Sequence, residues 1–419
     1  MPRFPDVGSH AVHLQMSVFA TLGEMMRRAP PGVIQLHVGD AFCSPPAEAR
    51  FEAPDWPTHE AEHGLYRYGH PHGLPELRAA LAEKLRRRNG LMAGADDVQV
   101  TCGATQAIFA GVRALLDPGD EVLVAAPYWP LIRGIVRAAG GVPVEVPLTQ
   151  PLYDDPGADP AALLEPHVTP RTVALYLITP NNPDGKILSR AQLERLAAFC
   201  QAHDLWCLAD EAYEEYVFPP PRAAAPGAAS GRAAAGAVAP APLHVSIGAL
   251  PGMADRTLTS FTFSKSYAMS GTRLGYLYAP EPARAAMRRI ANHVVYNPPD
   301  AAQWCGLGAL RAGDAWVERM RRDYAEARDL TVDALRAAGA EFHAPEGGAY
   351  VFARVPPRLA AGGSWAFIER AVQAGVSLAP GEAFGRDYTA WFRVCYTAVG
   401  ADDLREGLAR LARALASGA

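Results

Sequence analysis

The chain has 419 residues, 49% of them hydrophobic and 20% charged, with a formal charge of −5. That length holds two or three domains of ~100–200 residues each, and the composition is that of a soluble globular protein, which excludes wholesale disorder. No run of Lys and Arg interleaves with aromatics, and no stretch approaches the ~18 apolar residues of a membrane span, so neither a nucleic-acid surface nor a membrane anchor is expected.

In chain order, Met1-Pro2-Arg3-Phe4-Pro5-Asp6 has no apolar signal core. Six scattered cysteines (Cys43, Cys102, Cys200, Cys207, Cys305, Cys395) form no C-x-x-C pair. Both features lead us to expect a cytoplasmic protein with reduced, buried thiols. Residues 1–45 read as an arm and a short helix that pack near the C-terminal part. From about residue 75 to 295, short apolar runs alternate with longer amphipathic ones. The expected strands are Val98–Thr101, Glu121–Ala125, Val142–Val146, Thr172–Thr179, Leu205–Ala209, Leu258–Phe263 and Leu274–Tyr278. Several are apolar throughout, as strands covered on both faces of a parallel sheet must be. Between them, Thr105–Leu116 is expected to be helical up to the breaker Asp117-Pro118-Gly119-Asp120, and Ser189-x-x-Gln192 reads as a capping box for a helix through Ala202. Alternating strands and helices imply an α/β sheet whose ligand sits at the carboxyl ends of the strands. Pro219–Pro242 is nearly all Ala, Pro, Gly and Arg and is expected to be a surface insertion without a packed core. Beyond it, a long helix (Asp314–Ala338), a strand near Ala349–Arg354 and a final helix (Asp402–Ala416) suggest a smaller α+β domain. The expected division is 1–45, 46–298 and 299–419.

The chemistry gathers where apolar strands end. Lys265, in Ser264-Lys265-Ser266, follows Leu258–Phe263, and Arg273 stands at the head of the next strand. A lysine at the carboxyl edge of a sheet can be held partly desolvated, which lowers its pKa and favours Schiff-base chemistry; otherwise it simply points to water. Thr179-Pro180-Asn181-Asn182-Pro183-Asp184-Gly185 follows one buried strand and, taken alone, is turn chemistry. Ala209-Asp210-Glu211-Ala212-Tyr213 ends another. A carboxylate there could bind metal, pair with a base, or keep a pyridinium nitrogen protonated, with Tyr213 donating to a phenolate oxygen. Cys102-Gly103-Ala104-Thr105-Gln106 joins a strand to a helix, and its small residues leave backbone N–H groups free to face a phosphate.

In that order and spacing the chain resembles the class I/II aminotransferases of fold type I, particularly the aspartate and aromatic aminotransferase branch, from about Ile34 to the C-terminus. The resemblance implies a mostly parallel seven-stranded large domain with a smaller α+β domain, pyridoxal 5′-phosphate as cofactor, and transfer of an amino group between an amino acid and a 2-oxo acid. Lys265 resembles the Schiff-base lysine and general base, Asp210 the partner of the pyridinium, and Tyr213 with Asn182 the ligands of the ring's O3′. Trp129 resembles the aromatic stacked on the ring. Gly103, Ala104, Thr105, Thr262, Ser264 and Arg273 would hold the phosphate. Arg393, in Trp391-Phe392-Arg393-Val394, resembles the arginine that clamps the substrate α-carboxylate, a task suited to its planar fork. Gly39 matches the glycine whose backbone approaches the substrate. Tyr68 resembles the tyrosine that reaches across a homodimer interface to the partner's phosphate.

Two positions depart from the family. Ala41 stands where a proline is usual, two residues after Gly39, and Thr105 stands where some aspartate-using members carry a lysine. Without that cation, and with the aromatic residues Phe19, Phe42, Tyr66, Tyr296 and Tyr350 in the surroundings, a neutral or aromatic amino donor is expected. His59-Glu60-Ala61-Glu62-His63 matches the zinc-protease pattern H-E-x-x-H, but Pro57 and Gly64 leave it at most two helical turns, so no metal is expected. A cofactor-binding regulator would need a DNA-binding module, for which there is no room before Ile34. The alternative within the enzyme class is a β-lyase on the same fold.

Overall fold

The computed structural model describes residue 14 and residues 18–220 and 244–416. Most of the expected insertion therefore lies outside the described residues. The seven-stranded sheet is built from β2 (Val98–Thr101), β3 (Glu121–Ala126), β4 (Val142–Pro147), β5 (Thr172–Ile178), β6 (Trp206–Asp210), β7 (Thr257–Thr262) and β8 (Gly275–Tyr278). Its order is β2-β8-β7-β6-β5-β3-β4, and β8 alone runs antiparallel to its neighbours. Successive residues of the central strands enter two different cores. Val122, Val124, Tyr176 and Leu208 pack on one face, and Leu123, Leu175, Leu177 and Cys207 on the other. A strand that buries both faces has no polar side to alternate with, which is why these runs are apolar throughout.

Strand β2 has the expected bounds, and the ends of the other six differ from the expected ones by a residue. The strand before Lys265 stops at Thr262, because the Thr262 hydroxyl accepts from the Ser264 N–H and starts a one-turn helix, Phe263–Ser266. Lys265 thus sits in a helical turn rather than directly beyond a strand. Asp210 is the last residue of β6 and not the first beyond it. The helix expected at Thr105–Leu116 spans Ala104–Leu115. The Ser189–Gln192 capping box is present, and its helix ends at Ala202.

The rest of the chain forms a three-stranded antiparallel sheet of β9 (Tyr350–Arg354), β11 (Ala379–Pro380) and β12 (Trp391–Cys395), in the order β11-β12-β9. The long helix Asp314–Ala337 buries Val317, Met320, Tyr324, Arg328, Thr331 and Leu335, three to four residues apart, along one stripe. Near the N-terminus, β1 (Ile34–Gln35) pairs in parallel with β10 (Val376–Ser377). The strand that leads to Gly39 is thereby fixed to the C-terminal part of the chain. Among the described residues, no helix is long and apolar enough to cross a membrane.

His59 and His63 lie on a two-turn helix, Trp56–His63, with Asp55 as N-cap and Gly64 in the left-handed conformation at its end. Their rings share one face, as the spacing requires, and lie 4.5 and 4.8 Å from the Trp304 ring. Among the described residues, no three His, Cys, Asp or Glu side chains are grouped as metal ligands.

Candidate active site

The carboxyl ends of β2, β3, β5, β6 and β7 meet at one edge of the sheet around a cavity of about 260 Å³. At the end of β2, Gly103 (φ +80°) precedes the Ala104–Leu115 helix. The first N–H groups of that helix have no partner within it and point towards the cavity end of the sheet, a ready anion cradle. A Cβ at Gly103 would stand 2.7 Å from Arg273 Nη2, so only glycine lets the guanidinium approach. Arg273 itself adopts a left-handed backbone (φ 54°, ψ 53°), which costs a non-glycine residue about 1 kcal/mol or more. Its Nη1 donates to the Ser270 carbonyl at 2.8 Å and reaches Ser264 Oγ at 3.5 Å. The Thr262 hydroxyl donates to Ser264 Oγ at 2.9 Å. Hydroxyls, a guanidinium and helix N–H groups thus converge on one corner.

Across the cavity, Asp210 is nearly inaccessible and accepts from Tyr176 Oη at 2.8 Å and from the Ala212 N–H at 3.1 Å. Burial raises its carboxyl to about 6 despite those two donors, so the site withholds from Asp210 the cation that would ionise it fully. Behind it, buried ion pairs hold the following turn in place. Lys84 pairs with Glu214, Arg88 and Arg321 with Glu215, and His244 with Glu211. Trp129, Ile108, Ile178 and Ala212 supply apolar walls.

Lys265 Nζ projects to the Gly39 carbonyl, and desolvation is the main cause of its lowered pKa. Asp40, which accepts from Ser270 Oγ at 2.6 Å, partly opposes that shift. Gly39 has no room for a side chain, since a Cβ there would lie 2.1 Å from Tyr350 Oη. Arg393 is 2% exposed, and no carboxylate among the described residues pairs with it. It donates to Asn182 Oδ1 at 2.8 Å and to the His37 carbonyl at 2.6 Å, with the Tyr350 and Phe384 rings 4.0 and 4.8 Å from its Cζ. Five guanidinium donors less two leave three, and Nε is buried without a partner. A buried, uncompensated guanidinium is costly on its own and calls for an anion.

Of the residues anticipated from sequence, Gly39, Ala104, Thr105, Trp129, Asn182, Asp210, Tyr213, Thr262, Ser264, Lys265 and Arg273 line this cavity. Gly103 and Arg393 adjoin it through Arg273 and Asn182. Tyr68 does not line it. It is 86% exposed, with its ring 5.1 Å from that of Tyr296. Sequence reasoning missed Tyr176 and Ser270, and it counted Tyr350 only among the surrounding aromatics. Tyr176 lies inside an apolar strand run, where nothing marks a hydroxyl as functional, and the side-chain partners of Ser270 and Tyr350 are far away in the chain.

Residues 31–411 match the family model for aminotransferase class I and II. The chain is 36% identical over 358 residues to an aspartate/prephenate aminotransferase of Thermus thermophilus, covering 84% of each chain. It is 35% identical to an arginine–pyruvate transaminase of Pseudomonas aeruginosa, covering 91% of this chain and 89% of the relative. Among solved structures, aspartate aminotransferase from Thermus thermophilus with maleate superposes with a TM-score of 0.84 at 32% identity, over 98% of this chain and all of the other.

Proposed function

The chain belongs to the class I and II aminotransferases, and from that premise we propose that it exchanges the amino group of a neutral or aromatic L-amino acid with a 2-oxo acid, using pyridoxal 5′-phosphate carried on Lys265. The observation that carries the reading is one cavity lined by a desolvated lysine and a buried aspartate in want of a cation, with a buried arginine in want of an anion adjoining it through Asn182.

The residues fit the cofactor at both ends. Gly103, whose Cβ would fill the cradle, leaves helix N–H groups, Thr262, Ser264 and Arg273 for a phosphate. Asp210, raised to about 6 by burial, is matched by a ring nitrogen that brings a positive charge. When bound, pyridoxal phosphate supplies an electron-withdrawing ring that takes up the electrons released at the substrate Cα. Asp210 keeps the ring nitrogen protonated, and Tyr176 and the Ala212 N–H fix its carboxylate for that purpose. Tyr213 and Asn182, which line the cavity, would donate towards O3′, and Trp129 would pack against the ring. Arg393 takes the substrate α-carboxylate with the donors that Asn182 and His37 leave free. Lys265 Nζ, held below the ordinary lysine value by desolvation, would take the proton from the substrate Cα and return it two atoms away, beyond the amine nitrogen. Gly39 closes over this space without a side chain of its own.

The donor class rests on the cations. Arg273 and Lys265 are the basic residues lining the cavity, and both have other tasks. Thr105 offers no charge to a second carboxylate. The relatives are named for aspartate with prephenate in one case and arginine with pyruvate in another, so membership of the family leaves the donor to the individual pocket. A screen of amino acids in the half-reaction, read as the change in cofactor absorbance, tests the reading. Fast reaction confined to aspartate and glutamate would overturn the donor assignment.

The same reading places the cofactor in residues 46–298, with residues 1–45 and 299–419 forming the smaller part. It also makes the protein a homodimer in which Tyr68 serves the partner's phosphate. Exposed Tyr66, Tyr68, Val294 and Tyr296 supply an apolar surface for that contact. Sedimentation as a monomer at micromolar concentration would contradict it.

A further inference from the structure

Tyr350 stands between the two halves of the site. It is the first residue of β9 in the three-stranded sheet, opposite Cys395 of β12, and it is 1% exposed. Its ring lies under the Arg393 guanidinium, 4.0 Å from Cζ. Its hydroxyl hydrogen-bonds the Tyr213 hydroxyl, and the two rings meet edge to face at 5.6 Å and 75°. One side chain therefore touches both the arginine proposed for the α-carboxylate and the tyrosine proposed for the cofactor's O3′. Arg393 lies in β12 of the three-stranded sheet, and Tyr213 in the turn that follows β6 of the seven-stranded one.

We propose that Tyr350 is a positioning residue with two separable parts: its ring holds Arg393 flat for the carboxylate, and its hydroxyl donates to Tyr213 so that the Tyr213 proton is directed into the cavity. The proposal rests on the cofactor reading above and goes beyond it. The argument is one of proton counting. Burial raises both tyrosines, Tyr350 to about 12, so each keeps its proton at working pH. Two hydroxyls that share one hydrogen bond have one proton to spare. If Tyr213 donated to Tyr350, its own proton would be spent within the pair. With Tyr350 donating, Tyr213 is free to donate onwards, and a hydroxyl that already accepts a hydrogen bond is a stronger donor. The Tyr350 oxygen also packs on Gly39, where a Cβ would lie 2.1 Å away, so the hydroxyl is confined against Tyr213. For Arg393, an aromatic face is the right neighbour in a place that holds no carboxylate. The ring quadrupole stabilises the cation without competing for the N–H donors that substrate needs.

Two substitutions separate the parts. Tyr350→Phe keeps the ring and removes the hydroxyl, and Tyr350→Leu removes both. The first readout is the pH midpoint of the cofactor's visible absorption change in the resting protein, which follows the stabilisation of O3′. Tyr213→Phe should raise this midpoint, and Tyr350→Phe should raise it by less, about half to one pH unit, the size of one neutral hydrogen bond. In the Tyr213→Phe background, Tyr350→Phe should add no further shift, because the hydroxyl acts only through Tyr213. The second readout is the apparent dissociation constant of the fastest amino donor in single-turnover bleaching. It should stay within about twofold for Tyr350→Phe and weaken roughly 5–30-fold for Tyr350→Leu. An unchanged midpoint in Tyr350→Phe, or equal shifts with and without the Tyr213 hydroxyl, would overturn the role of the hydroxyl. Full donor affinity in Tyr350→Leu would overturn the role of the ring. A wild-type protein with no visible band after reconstitution would instead refute the cofactor reading on which the proposal stands.

Discussion

Replacing Arg393 by lysine tests substrate recognition apart from cofactor binding, because the arginine lies in β12 while the residues proposed for the phosphate and ring lie at the end of the seven-stranded sheet. The arginine holds itself in place with one hydrogen bond from each Nη, to Asn182 and to the His37 carbonyl, and keeps a further hydrogen on each. Those two remaining hydrogens are the fork that can grip a carboxylate with two parallel bonds. A lysine ammonium at the end of a flexible stem cannot satisfy Asn182, the His37 carbonyl and both substrate oxygens at once. The substrate therefore loses one charge-assisted hydrogen bond, worth about 1.5–3 kcal/mol, and kcat/KM should fall roughly 10–150-fold. The assay is steady-state kinetics on an acidic, an aromatic and an aliphatic donor, with visible absorbance as a control for bound cofactor. Every amino acid carries an α-carboxylate, so the loss should be about equal for all three, with the cofactor band retained. A loss confined to the acidic donor would make Arg393 a side-chain receptor, and loss of the band would place it in cofactor binding. Either result would refute the reasoning.

Three other perturbations have signs that the structure sets. In cofactor-free protein, Asp210 titrates near 6 instead of about 3.9 as in an unfolded chain, so the folded state binds the extra proton and stability falls as pH rises from about 4 to about 6. Asp210→Asn should then stabilise the cofactor-free protein at pH 8 by up to about 3 kcal/mol in urea unfolding, with the gain fading towards pH 4 and the cofactor held at least ~10-fold less tightly; a gain independent of pH would contradict the assignment. Thr105→Lys puts a cation beside the cavity and should shift the aspartate-to-phenylalanine ratio of kcat/KM about tenfold towards aspartate, and an unchanged ratio would remove Thr105 from the donor argument. Exchanging residues 222–242 for a short Gly/Ser link should leave turnover within a few-fold, because loop length costs only about 0.6 kcal/mol per doubling, and because the flanking residues are anchored on the body of the protein, the Pro219 carbonyl by Arg328 and His244 by Glu211. Inactivity with an intact fold would show that the insertion takes part in the site.

Much of this architecture was legible because strands buried on both faces leave continuous apolar runs, and the residues that end those runs sit by geometry at one edge of one sheet. Lys265, Asp210 and Asn182 were visible for that reason, as polar residues at or within a few positions of the ends of buried strands. Single-residue boundary errors arose where a side chain took over from the backbone, as the Thr262 hydroxyl does in starting the turn that carries Lys265. Tyr176, Ser270 and the contacts of Tyr350 escaped notice because the partners are remote. Tyr350 meets Tyr213 across 137 positions, Tyr176 meets Asp210 across 34, and Ser270 meets Asp40 across 230. No local pattern encodes such pairs, and an aromatic or a serine in a buried run looks like core until the fold is known. The histidines of the H-E-x-x-H segment show the reverse case. The motif is met on a helix face, yet the rings rest on Trp304, and among the described residues no third ligand joins them.

The central claim is that Lys265 carries the cofactor. Reconstitution with pyridoxal phosphate, reduction with borohydride and peptide mapping test it directly, since reduction makes the link to the lysine permanent. The account predicts a single pyridoxyl-labelled peptide containing Ser264-Lys265-Ser266, and no label in Lys265→Ala. A label on Lys84 or Lys186, the two other buried lysines, or a full label in the Lys265→Ala protein, would contradict it.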